Sequence, residues 1–553
     1  MPSADIVIEN ARVLTMDPAR PRAEAVAISG ARLMAVGPRA AAQDLIGPGT
    51  RRIDAGGATV MPGLVEAHLH LFGGAFGMRF LSLEGVQGVD ALRAELAPYA
   101  AANPDEALLI CQAADYNLFG ESVMTTRQML DAALPDRPLI LYASDYHTAW
   151  ANTVALERAD ILQGRALPPG NEIVMASDGT AAGELRESAA SDPVMALRSS
   201  GGREKLGLNG VEPGPLSPQE RAEDMAVLRE GLQLCASYGF TALHNMDGNR
   251  YQLDLLSALE SQGELLCRTE VPFHLTPEKP ISSLEEASQL TADFATERLK
   301  SGRIKMFMDG VIDSATAVLV EDYADQPGWR GDPLHSEDRF KAAAIEADRR
   351  GLQISVHAIG DGAVRRVLDG YAAARAANGA RDSRHRIEHV EVLHPDDLPR
   401  FGELGVIASM QPSHPPAAMD FSLEPWVSRV GEARWPWSFP ITALKDADVT
   451  ICFASDWPVA DLNPMRSVKA AMTRPKWQAS DPDNRMSLME ALYAYSAAGA
   501  YAGHDDHRFG RLAPGMLADL VIMDRDLEAA PVETLDQARA RLTLCGGAVT
   551  WEA

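Results

Sequence analysis

Cysteine is scarce in this sequence, which limits how the chain can be stabilised. The 553 residues include five cysteines, an odd number, and no two of them form a C-x-x-C motif. A disulfide framework or a cysteine-rich zinc site does not fit this usage, and a reducing compartment is the simpler interpretation. The N-terminus also lacks a basic segment followed by an apolar one. We therefore expect a cytoplasmic protein.

Positive charge and long apolar runs are also in short supply. The chain carries 51 Lys and Arg against 77 Asp and Glu, a net charge of −26. Nucleic acids and anionic membranes need a positive protein surface, so neither is expected as a partner. No uninterrupted apolar stretch is long enough to cross a bilayer. A small-molecule substrate stays compatible with this charge, because a pocket can carry a local field of either sign.

Both ends of the chain have the alternating pattern of short β-strands. Apolar and polar residues alternate in DIVIENARVLTMD and EAVAISGARLMAVG near the start, and in ADLVIMDRD and RLTLCGGAVTWEA near the end. Asn10-Ala11 and Ser29-Gly30 are turn signals between the early strands. Because chain termini often lie close together, we predict one small β domain made of residues 1–62 and 505–553.

The centre of the chain, residues 63–504, alternates short apolar runs with helical segments. This pattern predicts an α/β fold, a closed parallel (β/α)8 TIM-like barrel. A long gap follows the first run, so we expect an insertion at about residues 75–235, which itself contains the strand-like run RPLILYASD. The eight predicted barrel strands are GLVEAHLH, TALHNM, CRTEVPFHL, RIKMFMDG, QISVHAIG, RIEHVE, VIASMQPS and TICFASDWPV.

Side chains able to bind a metal follow several of these strands at the end where barrel enzymes keep their active sites. His68 and His70 alternate along the first strand and therefore point the same way, with Glu66 beside them. Imidazole and carboxylate ligands suit Zn²⁺ first, and also Mn²⁺, Fe²⁺ or Co²⁺. A bound divalent ion would supply a water-derived nucleophile at neutral pH. The predicted metal-site residues are His68, His70, Lys305, His357, His389 and Asp456.

Lys305 is an unusual member of this set, because an ammonium group repels a metal ion. Reaction with carbon dioxide would convert the amine to a carbamate, which is an anionic ligand able to bridge two ions. The alternative is an ion pair between Lys305 and a nearby carboxylate such as Asp309. The sequence leaves open whether one or two ions bind.

The ordered motifs resemble the metal-dependent amidohydrolase superfamily, in the branch of the N-substituted formamide deformylases. The resemblance extends over nearly the whole chain. It implies a distorted barrel, a β-sandwich built from both chain ends, the metal-site residues above and a carbamylated Lys305. It also implies that the enzyme is a homodimer, as related enzymes often are. The matching stretches are MPGLVEAHLH, DYHTAWANTVAL, IKMFMDG, VHAIGDGAV, RIEHVE, MQPSH, FASDWPV and GRLAPGMLADLVIMD.

Two positions depart from the family pattern. Glu66 stands where the family usually has Asp before the H-x-H pair, which we interpret as a supporting or structural position. Gly362 stands where the family usually has Arg, which would alter a contact near His357. Further substrate contacts are expected in the insertion and after the later strands, and His244 and His274 are either pocket residues or core histidines. The predicted substrate-binding residues are His147, Trp150, Asn152, His414 and Trp457.

The expected reaction is hydrolysis of an amide-like C–N bond in an N-acyl, N-formyl or cyclic amide by metal-activated water. Asp456 is the predicted catalytic residue, because it can take a proton from the water and pass it to the leaving amine. One alternative is a deaminase of the same superfamily, but such enzymes carry a Glu after the fifth strand, where this chain has Asp361. An esterase or lactonase would use the same groups. A non-catalytic scaffold is the remaining alternative, and it would be expected to lose ligands that this chain retains.

Overall fold

The two ends of the chain share β-sheets. The computed structural model describes residues 3–143, 146–168, 170–419 and 421–553. One sheet has the strand order Arg32–Gly37, Ala25–Ser29, Ile6–Glu9, Arg51–Asp54. A second sheet has the order Ala548–Glu552, Ala540–Cys545, Leu520–Met523, Thr59–Pro62, Arg12–Leu14, Arg22–Ala23.

The second sheet joins the N-terminal and C-terminal segments directly. Leu520–Met523 pairs antiparallel with Thr59–Pro62, with Val521 opposite Met61. The two sheets also share one apolar cluster, to which both chain ends contribute buried side chains such as Ile8, Val26 and Leu544. Burial of this face stabilises the contact between the sheets. The exact domain boundaries stay a prediction.

Each of the eight central runs contains a parallel strand, as predicted. The third is in two pieces, because Val271 and Pro272 interrupt it. We label the strands β1 Leu64–Leu69, β2 Phe240–Asn245, β3 Arg268–Glu270 with Phe273–His274, β4 Arg303–Phe307, β5 Gln353–Ala358, β6 Arg386–His389, β7 Ile407–Met410 and β8 Ile451–Phe453. Every residue of β1, β2, β5 and β6 is buried, as expected for strands covered on both faces.

The central strands form two sheets in the described part of the chain. One contains β1, β2, the first piece of β3 and a short strand Leu299–Lys300; the other runs from the second piece of β3 through β4 to β8. A single closed ladder of eight strands is therefore not what the structure shows. Backbone hydrogen bonds nevertheless connect the segment after β8 to β1: Asp456 N donates to His68 O over 2.9 Å, and His70 N to Trp457 O over 2.8 Å.

Helices follow most of the central strands. Their starts are set by side-chain caps where the sequence provides them, as at Ser217 and Glu220, which form a capping box. Among the described residues outside 78–206, the helices of at least seven residues are α1 Leu71–Gly77, α2 Pro218–Ser237, α3 Arg250–Ser261, α4 Leu284–Asp293, α5 Glu337–Arg349, α6 Asp361–Asn378, α7 Leu398–Leu404, α8 Pro464–Thr473 and α9 Leu488–Ala494. Among the described residues, no helix has both the length and the apolar character needed to cross a bilayer.

The insertion after β1 has a six-stranded sheet of its own. The predicted strand in RPLILYASD is present as Leu139–Ala143. Helix α2 lies within the residues that the sequence assigned to the insertion, but it contacts α1 and β2 of the central part. The strand order in the insertion is Glu172–Met175, Ala181–Arg186, Thr148–Ala151, Leu139–Ala143, Leu109–Ala114, Leu81–Ser82.

Candidate active site

All six predicted metal-site residues lie along one large cavity. The cavity has a volume of about 1520 Å³ and lies at the carboxyl ends of the central strands, with walls from the insertion and from the loops after β4 and β7. This is the end of a parallel α/β sheet where active sites are built. The residues brought together there are His68, His70, Lys305, His357, His389 and Asp456.

Two histidines and one aspartate converge on a single point in this cavity. Asp456 Oδ1 lies 3.3 Å from His68 Nε2 and 3.2 Å from His70 Nε2. The donor atoms of the three residues all lie within 4.8 Å of one another. Asp456 Oδ1 is buried and has no well-formed hydrogen bond among the described residues. Buried polar atoms are normally satisfied, so this arrangement fits a cation bound between the three groups.

The opposite ring nitrogens of the two histidines are held by carboxylates. His68 donates from Nδ1 to Glu388 Oε2 over 2.8 Å, and His70 donates from Nδ1 to Asp247 Oδ1 over 2.6 Å. Each carboxylate fixes the tautomer that leaves Nε2 as the metal-binding atom, which is the usual support for histidine ligands. Burial opposes protonation of His70, but the charge of Asp247 outweighs it and raises the His70 pKa to about 9. Neither Glu388 nor Asp247 was predicted from the sequence.

A second group of donors lies beside the first. The donor atoms of His389, His414 and Asp456 also lie within 4.8 Å of one another. The centres of the His389 and His357 rings are 4.5 Å apart. His389 Nδ1 forms a 2.9 Å hydrogen bond with Gln411 Oε1. His357 donates from Nε2 to the carbonyl of Gly310 over 3.0 Å, so Nδ1 is its remaining ring nitrogen. The four predicted histidine ligands thus form one group beside Asp456: His68, His70, His357 and His389.

Two residues of this group have an unusual backbone conformation. His389 has φ = 79° and Asp456 has φ = 63°, in the left-handed region that non-glycine residues seldom adopt. His389 is the last residue of β6, and Asp456 lies three residues after the end of β8, so both lie where the chain leaves a central strand. Backbone strain of this kind is commonly retained where a side chain must point in a required direction. At these positions it directs both side chains into the cavity.

Lys305 lies next to His68 and does not pair with Asp309. Its Nζ is 3.5 Å from His68 Nε2 and 4.7 Å from the centre of the Phe307 ring. Burial lowers the pKa of Lys305 to about 8. The Asp309 carboxylate instead accepts three backbone N–H groups, from Val318, Ile359 and Gly360, at 2.9, 3.1 and 2.9 Å. The Lys305–Asp309 ion pair considered from the sequence is therefore not formed.

The two departures from the family pattern have local explanations. Glu66 Oε1 accepts the backbone N–H of His68 over 3.2 Å and that of Ser455 over 2.9 Å, so it ties β1 to the segment after β8. Burial raises the Glu66 pKa to about 8. At Gly362, a Cβ atom would lie 2.8 Å from the backbone carbon of Leu319. An arginine would not fit at that position in this chain.

Comparison with known proteins agrees with this geometry. The family model described as Amidohydrolase family matches residues 51–551. This chain belongs to that family. The match covers the metal-site residues and both central sheets, and family membership supports a metal-dependent hydrolase.

Relatives in the amidohydrolase family cover most of the chain. Protein LONG AFTER FAR-RED 3 of Arabidopsis thaliana is 31% identical over 94% of this chain and 87% of its own length. The N-substituted formamide deformylase of Arthrobacter pascens is 25% identical, over 99% of this chain and 98% of its own. The fold is similar to that of an uncharacterised metal-dependent hydrolase from Pyrococcus horikoshii OT3, with a TM-score of 0.74, 23% identity and coverage of 96% and 99% of the two chains.

Three of the five predicted substrate-binding residues line the cavity: His147, Trp150 and His414. His147 donates from Nδ1 to Glu187 Oε2 over 2.8 Å, and the centre of its ring lies 5.8 Å from that of His357. The DYHTAWANTVAL motif thus reaches the site, although its first residue, Asp145, lies outside the described residues.

Asn152 and Trp457 are not among the lining residues. Asn152 is fully buried, caps the helix Thr153–Arg158 through Ala155 N, and donates its amide to two backbone carbonyls. The Trp457 ring lies against Gly74 of α1. Both residues therefore support the walls and do not face the substrate space. Of the two uncertain histidines, His274 lines the cavity and His244 instead accepts a hydrogen bond from Arg386.

Proposed function

We propose that this chain is a metal-dependent hydrolase that cleaves an amide-like C–N bond of a small molecule. The observation that carries the proposal is the convergence of His68 Nε2, His70 Nε2 and Asp456 Oδ1 at 3.2 and 3.3 Å, inside a cavity at the carboxyl ends of parallel strands. Zinc is the first candidate, since nitrogen and carboxylate ligands in this number suit it. A cytoplasmic, homodimeric enzyme is part of the same proposal.

The finer architecture belongs to this proposal too. We infer that the two central sheets act as one distorted barrel, because hydrogen bonds from Asp456 N and His70 N link the segment after β8 to β1. The two sheets at the chain ends would form the accompanying β-sandwich around their shared apolar cluster.

Each residue of the site has a defined task in such a reaction. A divalent ion bound here would supply Lewis acidity toward the carbonyl group of the substrate and would lower the pKa of water. His68 and His70 would hold the ion through Nε2, because Glu388 and Asp247 keep the protons on Nδ1. The Asp456 carboxylate takes a proton from the attacking water and delivers it to the leaving nitrogen. The lining side chains of the insertion limit the access of bulk water.

The alternatives have less support. A deaminase would carry a catalytic Glu after β5; here Asp361 begins α6, accepts the Val320 N–H over 2.8 Å and does not line the cavity. No observation in the described residues favours a scaffold, since the ligand set is complete. Ester or lactone hydrolysis would use the same groups, and only substrates can separate it from amide hydrolysis.

The test combines metal analysis with a substrate panel. Purified protein, stripped with a chelator and reloaded with zinc, is assayed on N-formyl, N-acyl and cyclic amides and on a matched ester. We expect about one or two ions per chain and amide hydrolysis that is lost with the metal. Asp456→Asn keeps an oxygen donor but removes the proton acceptor, so metal should be retained while kcat falls about 10²- to 10⁴-fold. A variant with near-normal kcat would exclude Asp456 as the proton acceptor.

A further inference from the structure

Exposed apolar side chains are concentrated at the mouth of the cavity. Nine large apolar side chains are exposed in the described part of the chain, and four of them also line the cavity. They come from three separate segments, so they surround the opening rather than follow one another along the chain. Their exposed fractions are 39% for Val123, 58% for Met124, 47% for Val211 and 38% for Trp329.

A fourth segment reaches the same rim. Leu423 is 45% exposed and lies between Ser422 and Glu424, both of which line the cavity. Apolar side chains grouped in this way commonly mark a binding surface. Here they continue into the cavity that contains the metal ligands, so the ligand they contact would reach the site of the reaction.

The size of the cavity indicates a large ligand. Pockets for small ligands usually have volumes of about 300–1000 Å³. The cavity of about 1520 Å³ is larger, although the reacting amide itself needs only the space around Asp456. A short formamide or acetamide would leave most of the cavity, including the mouth, filled with water.

The charge of the walls opposes an anionic occupant. Thirteen carboxylate side chains line the cavity, against five basic ones: Arg186, Lys205, Lys279, Lys305 and Arg429. Burial raises the pKa values of Asp309 and Glu391 to about 7 and about 8, yet eleven other carboxylates remain. One bound divalent ion adds only two positive charges. A negatively charged group on the substrate would therefore be repelled.

We propose that the substrate is an amide with a large apolar substituent that extends from the metal site to the mouth and carries no negative charge. This inference rests on the proposed hydrolase function, since it describes the ligand of that same site. The apolar substituent would be buried against the side chains at the mouth, and the carboxylate-rich walls would favour a neutral or cationic group over an anionic one.

A substrate series tests the inference directly. The zinc-loaded enzyme is assayed on amides with the same scissile bond and a methyl, an octyl, an ω-aminooctyl or an ω-carboxyoctyl substituent, placed in turn on either side of the bond. Each methylene buried on binding contributes about fourfold in affinity, so kcat/KM should rise at least tenfold from methyl to octyl on one side. The carboxylate analogue should fall at least tenfold below the octyl one.

Variants at the mouth give a second readout. Trp329→Ser and Met124→Ser should lower the octyl-to-methyl ratio of kcat/KM, whereas Val549→Ser, an exposed apolar residue in the terminal sheet, should leave the ratio unchanged. Calorimetric binding of octylamine to the full chain, with and without zinc, should weaken in the two mouth variants and should not change in the control.

The outcomes separate the two proposals. Hydrolysis of the methyl amide with no gain from the octyl group would overturn the inference and leave the hydrolase proposal standing. If the metal-loaded protein hydrolyses none of the amides, both proposals are overturned. A change from dimer to monomer in the mouth variants, with the ratio unaltered, would assign the apolar rim to a contact between copies of the chain and would also overturn the inference.

Discussion

Glu388 Oε2 lies 2.8 Å from His68 Nδ1, although 320 residues separate the two along the chain. The same carboxylate forms a buried ion pair with Arg386, with Arg386 Nε 2.8 Å from Glu388 Oε1. Glu388 is fully buried, and despite that burial the charges of Arg386 and His68 hold its pKa well below the usual range. It therefore stays ionised and orients His68, a predicted metal ligand, from inside the protein.

The first prediction concerns the contact between Glu388 and His68. Glu388→Gln removes the negative charge that orients His68 and keeps the size of the side chain. We expect the affinity for zinc to fall about 10- to 100-fold, as is typical when the partner of a histidine ligand is changed. Competition with a chromophoric chelator measures this affinity. The variant should also be less stable, by about 3–5 kcal/mol in free energy of unfolding, because Arg386 loses its buried partner.

A matched control is available in the same part of the fold. Glu270 forms a buried ion pair with Arg303, and neither residue lines the cavity. Glu270→Gln should therefore reduce the free energy of unfolding to a similar extent while the affinity for zinc stays the same. An equal loss of zinc affinity in both variants would mean that general destabilisation, rather than the Glu388–His68 contact, explains the effect.

The second prediction concerns Lys305. Its Nζ lies 3.5 Å from Nε2 of His68, one of the predicted metal ligands. If the amine becomes a bridging carbamate, protein loaded in the presence of bicarbonate should bind two zinc ions, and Lys305→Ala should bind one. Propionate is a small carboxylate that fits the vacated space, so its addition should partly restore binding of the second ion. Elemental analysis of desalted protein gives the stoichiometry.

Lys300 serves as the control for this experiment. Its Nζ contacts Gly503 O and Asp505 outside the cavity. Lys300→Ala should leave the metal content unchanged. Equal metal content in native protein and Lys305→Ala would contradict the carbamate hypothesis, whatever the activity of the variant.

The third prediction compares two adjacent glycines in α1. A Cβ atom on Gly74 would lie 2.5 Å from Trp457 Cε3, whereas one on Gly73 would have no atom closer than 3.9 Å. Gly74→Ala should cost about 1–3 kcal/mol in free energy of unfolding, because Trp457 must move. It should also weaken zinc binding, since Trp457 follows Asp456. Gly73→Ala should be neutral or stabilising by up to about 1 kcal/mol, as alanine favours helices. Denaturant titrations of both variants test the difference, and equal stabilities would contradict it.

Much of the fold and of the candidate metal site could be predicted because they depend on local patterns. Strands buried on both faces appear as short apolar runs, and all eight central runs contain strands. Strand ends place side chains at one edge of the sheet, so His68, His357 and Asp456 could be grouped from the sequence alone. The pairing of the two chain ends followed from the same reasoning about alternation.

The supporting residues could not be found in this way. Glu388 lies beside His389 in RIEHVE, and Asp247 lies two residues after β2, but the histidines that they contact are 320 and 177 residues away in the sequence, so these pairings do not follow from local patterns. Asn152, in contrast, was predicted to contact the substrate but does not line the cavity. It belongs to a motif that reaches the cavity, yet its side chain caps the next helix and points away from the substrate space. Motif membership places the backbone, whereas the direction of a side chain depends on contacts that only the fold supplies.

The fourth prediction concerns stability at low pH. Asp348 is a buried residue near the end of α5. It accepts hydrogen bonds from Arg381 Nε over 2.5 Å, Asn378 Nδ2 over 2.9 Å and His385 Nε2 over 3.2 Å. Burial raises the pKa of this carboxyl, but the three partners outweigh it and hold the pKa well below its usual value. The ionised form is therefore favoured in the folded protein.

A depressed pKa gives a stability contribution that is complete above the unfolded pKa of about 3.9 and is lost as the pH falls towards the folded value. Asp348→Asn should lower the free energy of unfolding by about 2 kcal/mol between pH 5 and 8, the usual loss for hydrogen bonds to a charged group. The difference from native protein should shrink below pH 4. The exposed Asp105→Asn should show no such trend. Urea titrations across this range measure it, and a difference that grows as the pH falls would contradict the assigned sign.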